Sequence, residues 1–230
     1  MSKVTVTAEY EGHPVIVGDH TMFRYNEKHL NNNLELLESC VDRHNKVFAW
    51  KMDVRMPKDK NKVKVEKEPN KFISDFMSAY TNKLAREGLD PDYVVKMEQK
   101  TSEQRHFHTF LLVDGNKVKD QEKYCRMGER LIEKQLGMED GAADGLIDFT
   151  DKSKQKKLKG CKDREQAELK ERRKHSYMIR RDSPSFQEQF DACYRRMSYL
   201  AKDDVNDIIP SSERKVFYSR YNRKKCRRKN

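Results

Sequence analysis

The central stretch of the sequence reads YVVKMEQ at residues 93–99 and HFHTFLLV at residues 106–113, with the polar segment 100–105 between them. Both apolar segments are rich in β-branched and aromatic residues, which are favoured in strands. A short polar connection between two such segments is typical of an antiparallel β-hairpin. The pattern therefore predicts that two neighbouring strands form the middle of the fold.

Further strand and helix patterns lie on both sides of this hairpin. VFAWKMDVRM at residues 47–56 predicts a strand that ends at Pro57, and residues 177–180 predict a shorter one. Apolar residues at spacings of three and four predict helices at residues 26–45, 70–87, 119–136 and 184–202. The expected fold class is α+β, with an antiparallel central sheet of about four to five strands and helices packed on one face.

Two segments of the chain are strongly basic and help to define its domains. Residues 152–174 carry eleven lysines and arginines against four acids, and residues 223–229 hold six cations among seven residues. Such segments are either solvated or in contact with a phosphate backbone. We therefore expect an N-terminal arm and helix at residues 1–45, one domain at residues 46–221 with a basic insertion at 152–174, and a basic tail at residues 222–230.

The composition favours an anionic partner. Lysine and arginine number 49 against 38 acidic residues, which gives a formal net charge of +11 and a pI of about 9.3. Because no amphipathic anchor or lipidation motif accompanies this charge, nucleic acid is favoured over a membrane surface. The sequence has no apolar run of membrane-spanning length and no signal-peptide core, so a cytoplasmic protein is predicted. The five cysteines are scattered without C-x-x-C spacing, which argues against a zinc finger or a disulfide framework.

Two histidines in the second hairpin strand are candidate metal ligands. Alternate side chains of a strand point to the same face, so His106 and His108 project together. Glu98 in the preceding strand can reach that face if the two strands pair. Two imidazoles and one carboxylate leave coordination positions open for substrate oxygens. Asp53 and Glu103 are rival carboxylates, and Asp53 ranks below Glu98.

The last predicted helix carries two tyrosines in different surroundings. Tyr194 falls on the apolar stripe of the helix, so a core position is predicted for it. Tyr199 falls off that stripe, together with Arg195 and Lys202, and is not needed to fill the core. For Tyr199 to reach the histidine strand, the helix must either be sandwiched between two layers or end near this residue.

Three motifs in the same order resemble the HUH endonucleases. HFH at residues 106–108 is similar to the His-hydrophobic-His signature, Glu98 precedes it by eight residues, and SYLAK at residues 198–202 is similar to the tyrosine motif. WKMDVRMP at residues 50–57 adds a likeness to the replication initiators of filamentous phages and cryptic prophages, the inovirus-type family. The resemblance spans residues 47–221.

This resemblance implies a ferredoxin-like or RRM-like core and a nuclease that nicks single-stranded DNA at a replication origin. It implies that Tyr199 attacks the scissile phosphate and leaves a 5′-phosphotyrosine link and a free 3′-hydroxyl. Lys202 is expected either to assist the tyrosine as a nearby cation, or to bind the adjacent phosphate or position the metal. It also implies that Glu98, His106 and His108 bind Mg²⁺ or Mn²⁺. The sequence has no P-loop, so a host helicase or supercoiling is expected to separate the strands in rolling-circle replication, and the free 3′-hydroxyl is expected to prime a host DNA polymerase.

Three other functions are consistent with parts of this pattern. Two histidines and a carboxylate also describe a non-haem Fe(II) oxygenase, but those enzymes use a jelly-roll barrel, for which this sequence predicts too few strands. A prophage DNA-binding regulator without catalytic activity would share the fold. A relaxase-like mobilisation nuclease would share the chemistry. A tyrosine-linked DNA adduct separates the two nucleases from the regulator.

Overall fold

The described part of the chain is built around a six-stranded antiparallel sheet. The computed structural model describes residues 3–17, 22–57, 65–99, 105–118, 121–148, 176–204, 207–210 and 212–219. The strands are β1 Val4–Val6, β2 Glu9–Tyr10, β3 His13–Pro14, β4 Arg24–Asn26, β5 Lys46–Arg55, β6 Asp92–Glu98, β7 His106–Asp114, β8 Ile147–Asp148, β9 Ser176–Arg180 and β10 Val216–Tyr218. The helices are α1 Glu27–Arg43, α2 Pro69–Arg86, α3 Gln121–Leu136 and α4 Phe186–Ser198, followed by the 3₁₀ turn Tyr199–Ala201.

The predicted hairpin lies in the middle of this sheet. The strand order is β10-β6-β7-β5, and the outer edge of β5 pairs with β9 in its first half and with β8 near its end. The N-terminal arm forms two separate pairs, β1 with β4 and β2 with β3. The α+β class with an antiparallel central sheet is confirmed.

The expectation of helices on one face is wrong, because helices cover both faces of the sheet. α2 and α3 pack on the face that carries Trp50 and Met52, whereas α1 and α4 pack on the face that carries Val47 and Ala49. The physical reason is visible in β7, where residues 110–113 are all apolar and at most 1% exposed. A strand that is apolar on both sides requires a covering layer on each side.

α1 belongs to the same layer as the last helix. Its N-terminus is capped by Asn26, whose side-chain oxygen accepts a hydrogen bond from the backbone N–H of His29 at 3.3 Å. Further along the helix, the fully buried Asn33 donates a hydrogen bond to the carbonyl oxygen of Met197 at 3.1 Å. Because Met197 lies in the last turn of α4, α1 helps to fix the position at which α4 ends.

The last helix changes its geometry at the second tyrosine. α4 ends at Ser198, and Tyr199 begins the 3₁₀ turn. The chain then forms a β-bridge between Lys202 and Tyr25. Of the two arrangements that would let Tyr199 reach the histidine strand, the structure has the one in which the helix ends near this residue.

Several predicted features lie outside the described residues. They are Glu103 in the polar connection of the hairpin, the basic insertion at residues 152–174 and the basic tail at residues 222–230. In the ranges that the structure does describe, none of the helices combines the length and the apolar character needed to cross a bilayer.

Acidification is expected to destabilise the fold in part through His29. Its Nδ1 is 3.1 Å from the hydroxyl oxygen of Tyr218, and burial, followed by nearby positive charges, lowers its pKa from 6.5 to about 4. The unfolded chain therefore takes up a proton below pH 6.5 that the folded protein accepts only near pH 4. The free energy of unfolding should fall as the pH falls through this window, and H29Q should flatten that dependence. Urea unfolding of wild type and H29Q at about pH 7 and about pH 5 measures this dependence. An equal fall in the free energy of unfolding of the two proteins would contradict the prediction.

Candidate active site

The hairpin places both candidate imidazole ligands on the sheet face that α1 and α4 cover. Phe107 is fully buried in the core on the opposite face, so the alternation of the strand sends His106 and His108 to this one. The two imidazole rings are nearly parallel, with centroids 6.4 Å apart and planes at 15°. Glu98 lies directly opposite His106 in the register of β6 and β7. The two strands thus bring all three predicted ligands to one face of the sheet.

His108 lies between two carboxylates. Its Nδ1 is 2.7 Å from Oδ1 of Asp53, and its Nε2 is 3.3 Å from Oε2 of Glu98. Burial by itself lowers the pKa of His108, but the hydrogen bonds with both carboxylates outweigh burial and raise that pKa. Burial likewise acts to raise the pKa of Asp53, whereas His108 and Lys51 together hold that pKa well below its ordinary value.

Each of these carboxylates also contacts a lysine on its own strand. Nζ of Lys51 is 2.5 Å from Asp53, and Nζ of Lys96 is 3.4 Å from Glu98. Both lysines are buried, with exposures of 9% and 4%. The site is therefore a row of ionisable side chains across three strands, the charged row, in which carboxylates alternate with lysines and the histidine: Lys51, Asp53, His108, Glu98 and Lys96. Neither lysine was predicted from the sequence, although a lysine two residues before an acid in both strands was a usable signal.

Tyr199 contacts two members of the charged row, Glu98 and His108. Its hydroxyl oxygen is 3.5 Å from Oε2 of Glu98, and its ring stands edge-on to the His108 ring, with centroids 5.8 Å apart and planes at 83°. Burial and then the charge of Glu98 raise the pKa of Tyr199, while the charge of Arg196 acts to lower it. The phenol is thus held protonated beside the histidine strand, and positive charge is needed to favour its ionised form.

The cations closest to the Tyr199 ring are Lys96 and Arg196, whereas the sequence suggested Lys202. Nζ of Lys96 and the guanidinium carbon of Arg196 lie 5.7 and 5.9 Å from the ring centroid. Lys202 has its ammonium 3.3 Å from Asp204, and its backbone carbonyl accepts a hydrogen bond from Lys96 at 2.8 Å. A role of Lys202 in assisting the tyrosine stays a prediction.

The other tyrosine of α4 lies in the core. Tyr194 is fully buried, and its hydroxyl group is 3.3 Å from the carbonyl oxygen of Leu30. This placement agrees with its position on the apolar stripe of the helix. Of the two tyrosines, Tyr199 is therefore the one that contacts the charged row.

The donor types of the site suit a divalent cation, although the side chains as placed do not converge on one point. Two imidazoles with carboxylates are ligands that Mn²⁺ accepts readily. Among the described residues, no three His, Cys, Asp or Glu side chains are grouped closely enough to hold an ion. His108 uses both ring nitrogens on Asp53 and Glu98, so binding an ion at Glu98, His106 and His108 requires one of these contacts to be exchanged for the metal. Asp53 reaches the site through His108, whereas the other rival, Glu103, lies outside the described residues.

A protein-family model matches most of the chain. The family model described as YagK/YfjJ C-terminal domain matches residues 17–217. This range includes the four described α-helices, α1 to α4, and every residue of the candidate site. Neither a curated protein nor a solved structure matches the chain.

Proposed function

Because the chain belongs to the YagK/YfjJ C-terminal domain family, a prophage-associated family compatible with a phage-related protein, we propose that it nicks single-stranded DNA to start rolling-circle replication. The observation that carries the proposal is the contact of Tyr199 with His108 and Glu98. Tyr199 is about a hundred positions from the other two residues in the sequence, and the three residues belong to the three motifs that resemble HUH endonucleases.

The proposed reaction needs a nucleophile, and the surroundings of Tyr199 suit that role. The oxygen of Tyr199 attacks the phosphorus atom, the bond from phosphorus to the 3′ oxygen breaks, and a 5′-phosphotyrosine link remains. The phenol loses one proton and the departing 3′ oxygen gains one, so the step is balanced. Since burial and Glu98 raise the pKa of Tyr199, the cations Lys96 and Arg196 beside its ring are the groups that favour the ionised oxygen.

The charged row orients the groups that would act on the phosphate. Asp53 fixes one ring nitrogen of His108 at 2.7 Å, and Lys51 balances the charge of Asp53. A divalent ion bound by Glu98, His106 and His108 would polarise the phosphate and stabilise its developing charge. The mixed imidazole and carboxylate set favours Mn²⁺ in affinity, and the abundance of Mg²⁺ in cells favours that ion.

The charge of the chain supports a nucleic-acid substrate. The net charge of +11 attracts phosphate; of the two most basic segments of the sequence, one precedes β9 and the other follows β10. The 3′-hydroxyl left by the nick would prime a host DNA polymerase, and a host helicase would separate the strands. A relaxase-like mobilisation nuclease would use the same chemistry.

Capture of a covalent adduct from a random pool tests the proposal without knowledge of the origin sequence. Single-stranded oligonucleotides with a random centre and a 3′ label are incubated with the protein and Mn²⁺, then separated under denaturing conditions. The expected result is a labelled protein band, because the fragment on the 3′ side keeps the tyrosine link. A 5′-labelled pool should give shortened strands that a polymerase extends. Sequencing the captured strands then identifies the preferred site.

The same experiment separates the alternatives. Binding without any adduct, with either Mn²⁺ or Mg²⁺, would overturn the nuclease and leave a DNA-binding regulator. A matched double-stranded pool serves as the control for strand preference, and adducts should form on it far less than on the single strands.

A further inference from the structure

Among the described residues, Arg196 differs from the other cations of the candidate active site in having no carboxylate partner. Lys51, Lys96 and Lys202 each form an ion pair with an acid two residues further along the chain. Within the described ranges, Arg196 forms no ion pair, and its Nε is buried without any hydrogen-bond acceptor. A buried donor on a charged group is costly to leave unpaired, so its retention calls for an explanation.

The position of Arg196 suits a ligand at the tyrosine. It precedes Tyr199 by three residues at the end of α4, and its guanidinium carbon lies 5.9 Å from the centroid of the Tyr199 ring. Its charge also acts on Lys51 of β5, where it adds to the effect of burial in lowering the pKa of that lysine. Arg196 is therefore close to the Tyr199 ring and near enough to Lys51, at the far end of the charged row, for its charge to act on that lysine.

We propose that Arg196 binds the non-bridging oxygens of the DNA phosphodiester that Tyr199 attacks. This inference rests on the proposed function, and it adds a substrate-binding residue that the motifs do not assign. A guanidinium presents N–H groups in a planar fork that matches two phosphate oxygens, and the unpaired Nε–H supplies one of them. The phosphate would complete the hydrogen bonding of Arg196, and the cation would stabilise the negative charge that grows during attack.

The reaction of Arg196 variants is the first test, with Arg195 as the matched control. Arg195 is the preceding residue of the same helix and is exposed. With strands captured from the random pool, adduct formation should slow by about 100-fold in R196A and by less than about threefold in R195A. R196K should lie between wild type and R196A, because it keeps the charge and loses the fork. Equal rates in R196A and R195A would overturn the inference.

A substrate with one neutral linkage tests the contact itself. In a Y199F background, which prevents the reaction, and without added metal, so that no divalent ion contacts the phosphate, a methylphosphonate at the scissile position should weaken binding by about tenfold. The same change should have no effect in Y199F/R196A, whereas in Y199F/R195A it should weaken binding as in Y199F. A penalty that is independent of Arg196 would overturn the inference even if R196A lowers activity by disturbing the fold.

Failure of the proposed function gives a different result. In that case wild type forms no adduct, and binding of wild type, R196A and R195A to the uncaptured random pool decides the inference. If Arg196 contacts a phosphate, R196A should reduce the salt dependence of this binding more than R195A does. The same salt dependence in both variants would reject the contact.

Discussion

Y199F is expected to abolish the covalent DNA adduct, with a loss of at least about 10⁴-fold in its rate of formation. The substitution removes the attacking oxygen and leaves the ring in place. The ring keeps its edge-on packing against His108, and the hydroxyl group contributes a single long contact of 3.5 Å with Glu98. The free energy of unfolding should therefore change by less than about 1 kcal/mol. Adduct formation under denaturing separation and urea unfolding measure the two effects.

Y194F is the matched control, because Tyr194 lies in the same helix five residues earlier. Its hydroxyl group is close to the carbonyl oxygen of Leu30 in the core and does not contact the charged row. We expect Y194F to form the adduct at nearly the wild-type rate and to lose about 1 kcal/mol of stability through the missing hydrogen bond. An adduct that persists in Y199F and disappears in Y194F would show that the nucleophile is Tyr194 and not Tyr199.

The sequence was sufficient to predict the middle of the sheet. The alternation in HFH placed both imidazoles on one face, and the short connection predicted the pairing that puts Glu98 opposite His106. The apolar stripe of the last helix also separated Tyr194 from Tyr199. These features depend on local periodicity, which a single sequence carries directly.

The contacts between distant segments could not be predicted in the same way. The strands β8 and β10 have two and three residues, which are too few to show a period of two, so the sheet is wider than expected. The second helical layer was in principle predictable, because the run FLLV at residues 110–113 is apolar on both faces of its strand. The ion pair of Lys202 with Asp204, and the lack of a partner for Arg196 within the described part of the chain, depend on how the end of α4 packs on the sheet.

H106A is expected to lower adduct formation by more than about 100-fold while leaving DNA binding in the absence of metal unchanged. His106 is the better test of the proposed ligands, because His108 also holds Asp53 and Glu98, and its removal would disturb the row itself. The affinity for Mn²⁺, measured without DNA from the electron paramagnetic resonance signal of the free ion, should fall along with activity.

The control for H106A is H44A. His44 also contacts aspartates, Asp90 and Asp114, but it lies at the opposite end of β7 from His106. H44A should therefore leave both Mn²⁺ affinity and adduct formation close to wild type, since its carboxylate contacts hold the fold and do not face Tyr199. If H106A binds Mn²⁺ as tightly as wild type, His106 is not a metal ligand. If H106A forms the adduct at the wild-type rate, His106 takes no part in the reaction. If instead Mn²⁺ affinity and adduct formation both fall in H106A while H44A is unaffected, the loss is specific to the end of the sheet that Tyr199 contacts.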